Sequence, residues 1–124
     1  MVAVLLVALG GALGSVARYL VGGWISRRLG VSFPYGTLVI NLMASFAIGF
    51  FLAFAQERAG LSPYWRLFIA VGFVGGYSTF STYEYESIRL FQDGEMLLGA
   101  IYMVGSVAGG AIAAITGITI GSLI

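Results

Sequence analysis

The sequence predicts an all-α integral membrane protein with four transmembrane helices. Two observations carry this prediction: the scarcity of charge and the division of the chain into four apolar segments. Of the 124 residues, 60% are hydrophobic and only 9% are charged, whereas an ordinary soluble domain carries about 25% charged residues. A chain this short exposes much of its surface, and so few charged side chains could not cover that surface in water. The apolar surface must therefore face membrane lipid.

Four apolar segments follow one another along the chain, and polar or helix-breaking residues separate them. A helix needs about 20 mostly apolar residues to cross a bilayer. The predicted spans cover approximately residues 2–24, 35–55, 65–91 and 96–123, within a single domain of residues 1–124. Because the connections are short, we expect consecutive helices to be antiparallel neighbours.

Composition also excludes several functional classes. The chain contains neither histidine nor cysteine, which removes the commonest general base and every thiolate or disulfide site. Enzymes that use a Ser-His-Asp or Cys-His arrangement are thereby excluded, and we predict that the protein is not an enzyme. The net charge is +1 and the basic residues are scattered, so we predict no nucleic-acid partner.

The charges in the connecting loops give almost no preference for one membrane orientation. One side would hold Arg27, Arg28 and Arg89, and the other Arg58 and Arg66, although such residues normally set orientation. Either the orientation is simply weakly encoded, or the protein inserts both ways and pairs with an inverted copy of itself. Four small spans enclose little interior, and the 19 glycines allow close helix contacts, so we expect an oligomer.

The third span is the most unusual segment of the chain. Adjacent Gly75 and Gly76 precede four Ser and Thr residues within residues 78–82. A broken helix is tolerated at membrane depth only where protein or a water-filled cavity receives the freed backbone groups. Freed carbonyls can coordinate a cation, and freed N–H groups suit an anion. The pattern predicts a break around residues 75–78; the alternative is an unbroken helix with a polar face packed on a partner.

Two polar residues lie at membrane depth in the first two spans. Arg18 is either a snorkelling arginine that ties its helix down or a fixed positive charge that draws anions toward a pore mouth. Asn41 is either a hydrogen-bonding link between helices or a source of two N–H donors for an anion.

Aromatic and polar side chains continue this pattern beyond the predicted break. Phe80 and Tyr83 are three residues apart and share a helix face. Their ordinary role is core packing, but the positive edges of aromatic rings could also hold a small anion. Glu86 continues the same face, and Tyr102 and Ser106 lie four residues apart on a partly polar stripe of the fourth helix.

Taken together, these motifs resemble the Fluc/CrcB family of fluoride channels over nearly the whole chain. The similar segments are residues 10–14 followed by Arg18, residues 34–41, and residues 72–83. The sequence departs from the family pattern at two positions. Tyr83 stands where the family usually has Phe, and Ser78 stands where it usually has Thr.

The resemblance implies a passive, fluoride-selective channel in the inner or plasma membrane of the cell that exports fluoride and relieves its toxicity. It further implies an antiparallel, dual-topology homodimer with two pores and a central structural sodium ion, held by the backbone carbonyls of Gly75 and Ser78. Arg18 would lie at the vestibule. The implied fluoride path is lined by Asn41, Phe80, Ser81, Thr82, Tyr83, Glu86, Tyr102 and Ser106.

The donor chemistry agrees with a fluoride channel, because a pore must replace the water around a strongly hydrated ion with amide, hydroxyl and N–H donors. Weak, multiple sites favour conduction over tight binding.

Two other classes of function remain as alternatives. A proton-coupled multidrug exporter would require a carboxylate deep in the first span, where this chain has Arg18. A non-transporting scaffold would leave Asn41 and residues 75–82 without a purpose. Composition also leaves a fluoride/proton exchanger open.

Overall fold

The computed structural model describes residues 1–124 and is all-helical, which confirms that part of the predicted fold class. We call residues 63–92 the third segment, since four short elements divide it. The elements in chain order are α1 (Val2–Leu29), α2 (Tyr35–Gln56), α3 (Pro63–Trp65), a π-helix (Arg66–Val74), α4 (Gly75–Tyr77), α5 (Phe80–Gln92) and α6 (Met96–Leu123).

Three helices, α1, α2 and α6, are long and apolar enough to cross a membrane, as expected of a membrane-embedded protein. α1 continues five residues beyond the predicted end and stops before Gly30, whose φ of 86° favours glycine. The other two follow the predicted bounds closely. The third segment is not one long helix, because it is interrupted after Tyr77; its second half carries Glu84 and Glu86, the two acidic residues of the segment.

α1 and the first half of the third segment pack backbone against backbone. A Cβ atom added at Gly72 would lie 3.0 Å from the Cα of Gly10 and 3.2 Å from the nitrogen of Gly11. At Gly76 it would lie 3.1 Å from the Cα of Gly11. Helices approach this closely in membranes only where both surfaces carry small residues. The glycines therefore fix the position of the third segment on α1.

α2 and α6 form a second close pair. A Cβ atom at Gly117 would lie 2.8 Å from the nitrogen of Phe50, and one at Gly121 would lie 3.2 Å from the Cβ of Ala53. On its opposite side, α2 packs Ile40 and Ala44 against the third segment. α2 thus stands between α6 on one side and α1 with the third segment on the other. α5 leans on α6 through a separate buried cluster of Tyr83, Leu90 and Tyr102.

Candidate functional site

The third segment is broken at Ser78 and Thr79, near its middle and at the end of the predicted window. Both residues have extended backbones, with ψ of 159° at Ser78 and 116° at Thr79. The N–H and hydroxyl of Ser78 each donate to the Val74 carbonyl at 3.0 Å and close the first half. The Thr79 hydroxyl accepts from the N–H of Thr82 at 3.3 Å and caps α5.

Asn41 on α2 holds the break from the side. Its Nδ2 donates to the Thr79 carbonyl at 3.0 Å, and its Oδ1 accepts from the Thr79 N–H at 2.9 Å. A side-chain amide thereby replaces both backbone partners that Thr79 would have in a continuous helix. Asn41 therefore links helices, as the first of its two predicted roles requires, and retains one further N–H on its amide.

Several backbone groups around the break have no hydrogen-bond partner. The N–H groups of Phe80 and Ser81 lie in the first turn of α5, where no intrahelical acceptor exists. On the other side of the break, the carbonyls of Gly75 and Ser78 accept no hydrogen bond. Gly75 is exposed on the surface of the single chain. The break thus leaves both N–H donors and carbonyl acceptors without a partner in the chain.

A row of aromatic rings leads away from the break. The centroids of Phe80 and Tyr83 are 5.8 Å apart, and those of Tyr83 and Tyr102 are 5.3 Å apart. Phe33, in the connection between α1 and α2, meets Tyr102 edge-to-face at 5.5 Å. Tyr83 and Tyr102 are buried, whereas Phe80 is 73% exposed. The row joins the middle of the third segment to the α1–α2 connection.

Polar groups accompany these rings. The Tyr102 hydroxyl donates to Glu86 Oε1 at 3.0 Å, and the Tyr83 hydroxyl donates to the Met103 carbonyl at 2.6 Å. The hydroxyl of Ser106 is buried and has no partner. A buried hydroxyl without a partner is costly in apolar surroundings, so the Ser106 hydroxyl is free for a further polar partner.

A cleft of about 490 Å³ opens beside the break, between α1, the start of α2 and α5. Arg18 contributes its guanidinium to this cleft, and its Nε donates to the Gly76 carbonyl at 3.3 Å. Arg18 therefore ties α1 to the third segment, which is the first of its two predicted roles, whereas its role at a pore mouth stays a prediction. Other polar lining residues include Ser15, Thr37, Thr79, Thr82, Glu86, Arg89 and Asp93.

The structure brings most of the predicted site residues together and leaves two outside the contacts. Asn41, Thr82, Phe80, Tyr83, Glu86 and Tyr102 form connected contacts on or beyond the break. Ser81 is exposed and its hydroxyl makes no hydrogen bond, and Ser106 lies apart with a free hydroxyl.

Sequence reasoning missed two contributors. The sequence indicates Thr79 through its hydroxyl, but the structure uses its backbone N–H and carbonyl as well. A Thr directly before the first residue of a helix is a preferred N-cap, and this preference could have located the position. Phe33 carries no such signal, because its contact with Tyr102 joins residues far apart in the chain.

The sequence matches the model of one protein family, described as CrcB-like protein, Camphor Resistance (CrcB), over residues 5–118. A fluoride-specific ion channel FluC of Acidobacterium capsulatum is 50% identical over 118 residues, which cover 95% of this chain and 94% of the relative. FluC proteins of Rhizobium meliloti and Chloroflexus aurantiacus are 44% and 45% identical, each over 94% of its length and over 94% and 95% of this chain. These relatives are ion channels by name, which confirms the prediction of a non-enzyme.

Proposed function

We propose that this chain, which belongs to the CrcB-like family that it matches over residues 5–118, is a passive fluoride channel. The relatives that are 44–50% identical to this chain, over nearly their full length, are named fluoride-specific ion channels. The third segment would provide the fourth membrane crossing. By exporting fluoride across the inner or plasma membrane, the channel would relieve fluoride toxicity.

The observation that carries this proposal is the break held by Asn41. A helix interrupted between three apolar helices frees N–H groups at Phe80 and Ser81. Such groups at the start of a helix attract anions, because the helix dipole adds a partial positive charge there. Fluoride needs donors that replace its water without binding it tightly. Neutral N–H, amide and hydroxyl groups meet that requirement.

The proposed path starts in the cleft beside Arg18, whose charge raises the local anion concentration. It passes the capped start of α5, where the Thr82 hydroxyl lies 3.0 Å from that of Thr79. Beyond the break, the edges of Phe80 and Tyr83 would line the path with weak positive potential. Tyr102 with Glu86, and then the free hydroxyl of Ser106, would provide the last polar contacts.

A second, inverted copy of the chain is part of this proposal. The unpaired carbonyl of Gly75 lies on an exposed surface of the third segment. Unpaired backbone at membrane depth does not face lipid and must be received by protein, water or an ion. A partner copy would cover this surface and the exposed ring of Phe80. In an antiparallel dimer, each of two pores would use the same set of residues.

The carbonyls of Gly75 and Ser78 also fit a sodium ion. Unwound backbone carbonyls at a broken membrane helix are a typical sodium-binding group, and these two accept no protein hydrogen bond. The neighbouring Gly76 carbonyl is already used by Arg18. A bound sodium ion would balance the carbonyl dipoles of two facing copies and stabilise the break.

Liposomes that contain the purified protein test the function directly. We expect fluoride to leave loaded vesicles much faster than chloride, whereas protein-free vesicles retain both ions. Fluoride efflux no faster than chloride efflux would exclude the channel.

The same vesicles, measured with and without a proton gradient, separate a channel from an exchanger. Efflux that proceeds at the same rate without the gradient supports passive conduction, and efflux that requires it supports exchange.

Dual orientation has its own test in the connection between α2 and α3. Gly60→Cys introduces the only cysteine of the chain at a position where a Cβ atom meets nothing within 4 Å. A membrane-impermeant thiol reagent should label about half of the molecules in intact cells and all of them after lysis. Labelling of all or none of the molecules in intact cells would exclude insertion in both orientations.

A further inference from the structure

Arg27 and Arg28 close α1 with no polar partner in the chain. Neither guanidinium donates a hydrogen bond to another residue or pairs with a carboxylate, whereas Arg18 and Arg58 donate to backbone carbonyls and Arg89 pairs with a nearby carboxylate. The side chains of Arg27 and Arg28 are exposed. A guanidinium presents five N–H donors in a planar fork that matches a phosphate group. The end of α1 therefore offers two positive charges and their donors to an anion outside the chain.

The two guanidinium groups fold back along α1. Arg28 Cζ lies 5.3 Å from the centroid of the Trp24 ring. Arg27 Nη1 lies 3.3 Å from the point that a Cβ atom of Gly23 would occupy, so the missing side chain of this glycine leaves room for the guanidinium. Long side chains on a helix lean toward its N-terminus in this way. Both charges therefore lie near the level of residues 23 and 24, one turn before the end of α1.

α1 is long enough to bring this level to the surface of a bilayer. Its 28 residues give a length of about 42 Å, and a bilayer with its headgroups is about 40–45 Å thick. The last turns of α1 therefore lie among the lipid headgroups. Trp24 is more than half exposed, and an exposed tryptophan is typical of this interfacial level.

An apolar stripe runs along α1 toward these charges. Its members follow one another at spacings of three and four residues, which place them on one helix face. Each is more than half exposed: Leu9, Leu13, Val16, Leu20 and Trp24. From Trp24, the next steps of three and four residues reach Arg27 and Arg28. The same face thus carries apolar surface for acyl chains and, at its end, positive charge for a headgroup.

We propose that Arg27 and Arg28 bind the phosphate of an anionic phospholipid, with Trp24 placed between the headgroup and the acyl chains. Arginines at a helix end commonly bind the last carbonyls instead, but these two make no such bond. Neither arginine lines the cleft beside Arg18, so the site is separate from the proposed fluoride path. A soluble phosphate would use the charges and leave the stripe uncovered, whereas a phospholipid uses both.

The fluorescence of Trp24 measures which lipid occupies this site. In a Trp65→Phe background, Trp24 is the only tryptophan, and brominated acyl chains quench a tryptophan that they contact. In vesicles of otherwise unbrominated phosphatidylcholine, half-maximal quenching should need about fivefold less brominated phosphatidylglycerol than brominated phosphatidylcholine. Phosphatidylglycerol carries one more net negative charge, and one charge pair at the membrane surface contributes about this factor.

Variants in the same background test whether the preference belongs to these two arginines. Combined Arg27→Gln and Arg28→Gln should bring the ratio between the two lipids to about one. Arg89→Gln is the matched control, because Arg89 is exposed at the same end of the molecule but already pairs with Asp93. It should keep the fivefold preference. A preference that survives in the double variant, or that is lost in the control as well, would overturn the proposal.

Two further outcomes would identify another occupant and would also overturn the proposal. If inorganic phosphate abolishes the preference and chloride at the same ionic strength does not, the site serves soluble anions. If neither brominated lipid quenches Trp24, protein such as a second copy covers the stripe. None of these measurements involves ion flux, so their failure is distinct from a failure of the proposed fluoride conduction.

Discussion

The two halves of the third segment are held in place by opposite means. Residues 63–77 lie on α1 through glycine contacts so close that no side chain fits between the backbones. Phe80–Gln92 leans on α6 through large side chains, with the rings of Tyr83 and Tyr102 between the helices. Each half makes two side-chain hydrogen bonds with other elements, but the second half carries most of the polar groups of the proposed path.

This difference indicates that the two halves have different roles on either side of the break. Backbone-to-backbone packing leaves no freedom to move, so the first half can serve as the fixed reference for the site. Side chains that span a gap can be exchanged one at a time, which allows the second half to vary its chemistry. Asn41 connects the two halves, because it holds Thr79 at the start of the second while α2 packs on the first.

The largest effect is expected where the halves join. Asn41→Leu removes both hydrogen bonds to Thr79 and leaves its N–H and carbonyl unpaired in apolar surroundings. Each unsatisfied group costs about 1–3 kcal/mol, so the free energy of unfolding should fall by about 3 kcal/mol. Fluoride efflux from liposomes should fall more than about tenfold.

Met43→Leu, on the same helix, is the control for Asn41→Leu, since Met43 is half exposed and receives only the weak hydrogen bond of Tyr77. If Asn41→Leu conducts fluoride as the control does, Asn41 is not needed to hold the break, and the comparison between the halves loses its connecting element.

An intermediate effect is expected in the glycine-packed half. In Gly14→Ala, the new Cβ atom would lie 3.0 Å from the nitrogen of Tyr77, and backbone cannot yield as a side chain can. Overpacking of this kind should lower the free energy of unfolding by about 2 kcal/mol. This loss of stability is measured as a fall in the temperature of thermal unfolding, which is monitored by size-exclusion chromatography.

Gly105→Ala is the matched control for Gly14→Ala, because a Cβ atom there meets nothing within 4 Å. Its stability should stay within about 0.5 kcal/mol of the wild type. Equal stability of the two variants would mean that α1 and the third segment do not depend on their close contact.

The smallest effect is expected at the end of the second half. Arg89 Nη2 lies 3.7 Å from Asp93 Oδ1, and both side chains are more than half exposed. An exposed ion pair contributes little, so Arg89→Gln should change the free energy of unfolding by less than about 0.5 kcal/mol. A loss near that of Gly14→Ala would show that this helix end bears more of the stability than its packing suggests.

Much of the fold could be read from the sequence, because it depends on local properties. The lengths of the apolar segments gave helix ends within a few residues of those observed for α2 and α6. The break was also predictable, since paired glycines beside hydroxyl residues weaken a helix wherever it lies. Its location at Ser78 and Thr79, at the end of the predicted window, depended on the capping by Thr79 and on Asn41.

The partners of the polar groups could not be read in the same way. Asn41 and Thr79 are 38 residues apart, and Tyr83 and Met103 are 20 apart. Each pair meets only because helix packing brings two particular turns together. For the same reason, the sequence indicated that Tyr83 adds a hydroxyl to a usual Phe position without indicating that α6 takes up that hydroxyl.

By itself, the sequence determined a membrane-embedded, all-helical chain with a weakened third segment, since apolar length and helix-breaking residues act locally. It also determined the family, through motifs ordered along nearly the whole chain. Only the tertiary structure decided that Asn41 holds the break, that Gly75 and Ser78 keep free carbonyls, and that the Tyr83 hydroxyl is tied to α6. Those features depend on the distances between helices, which are set by packing contacts between segments far apart in the chain.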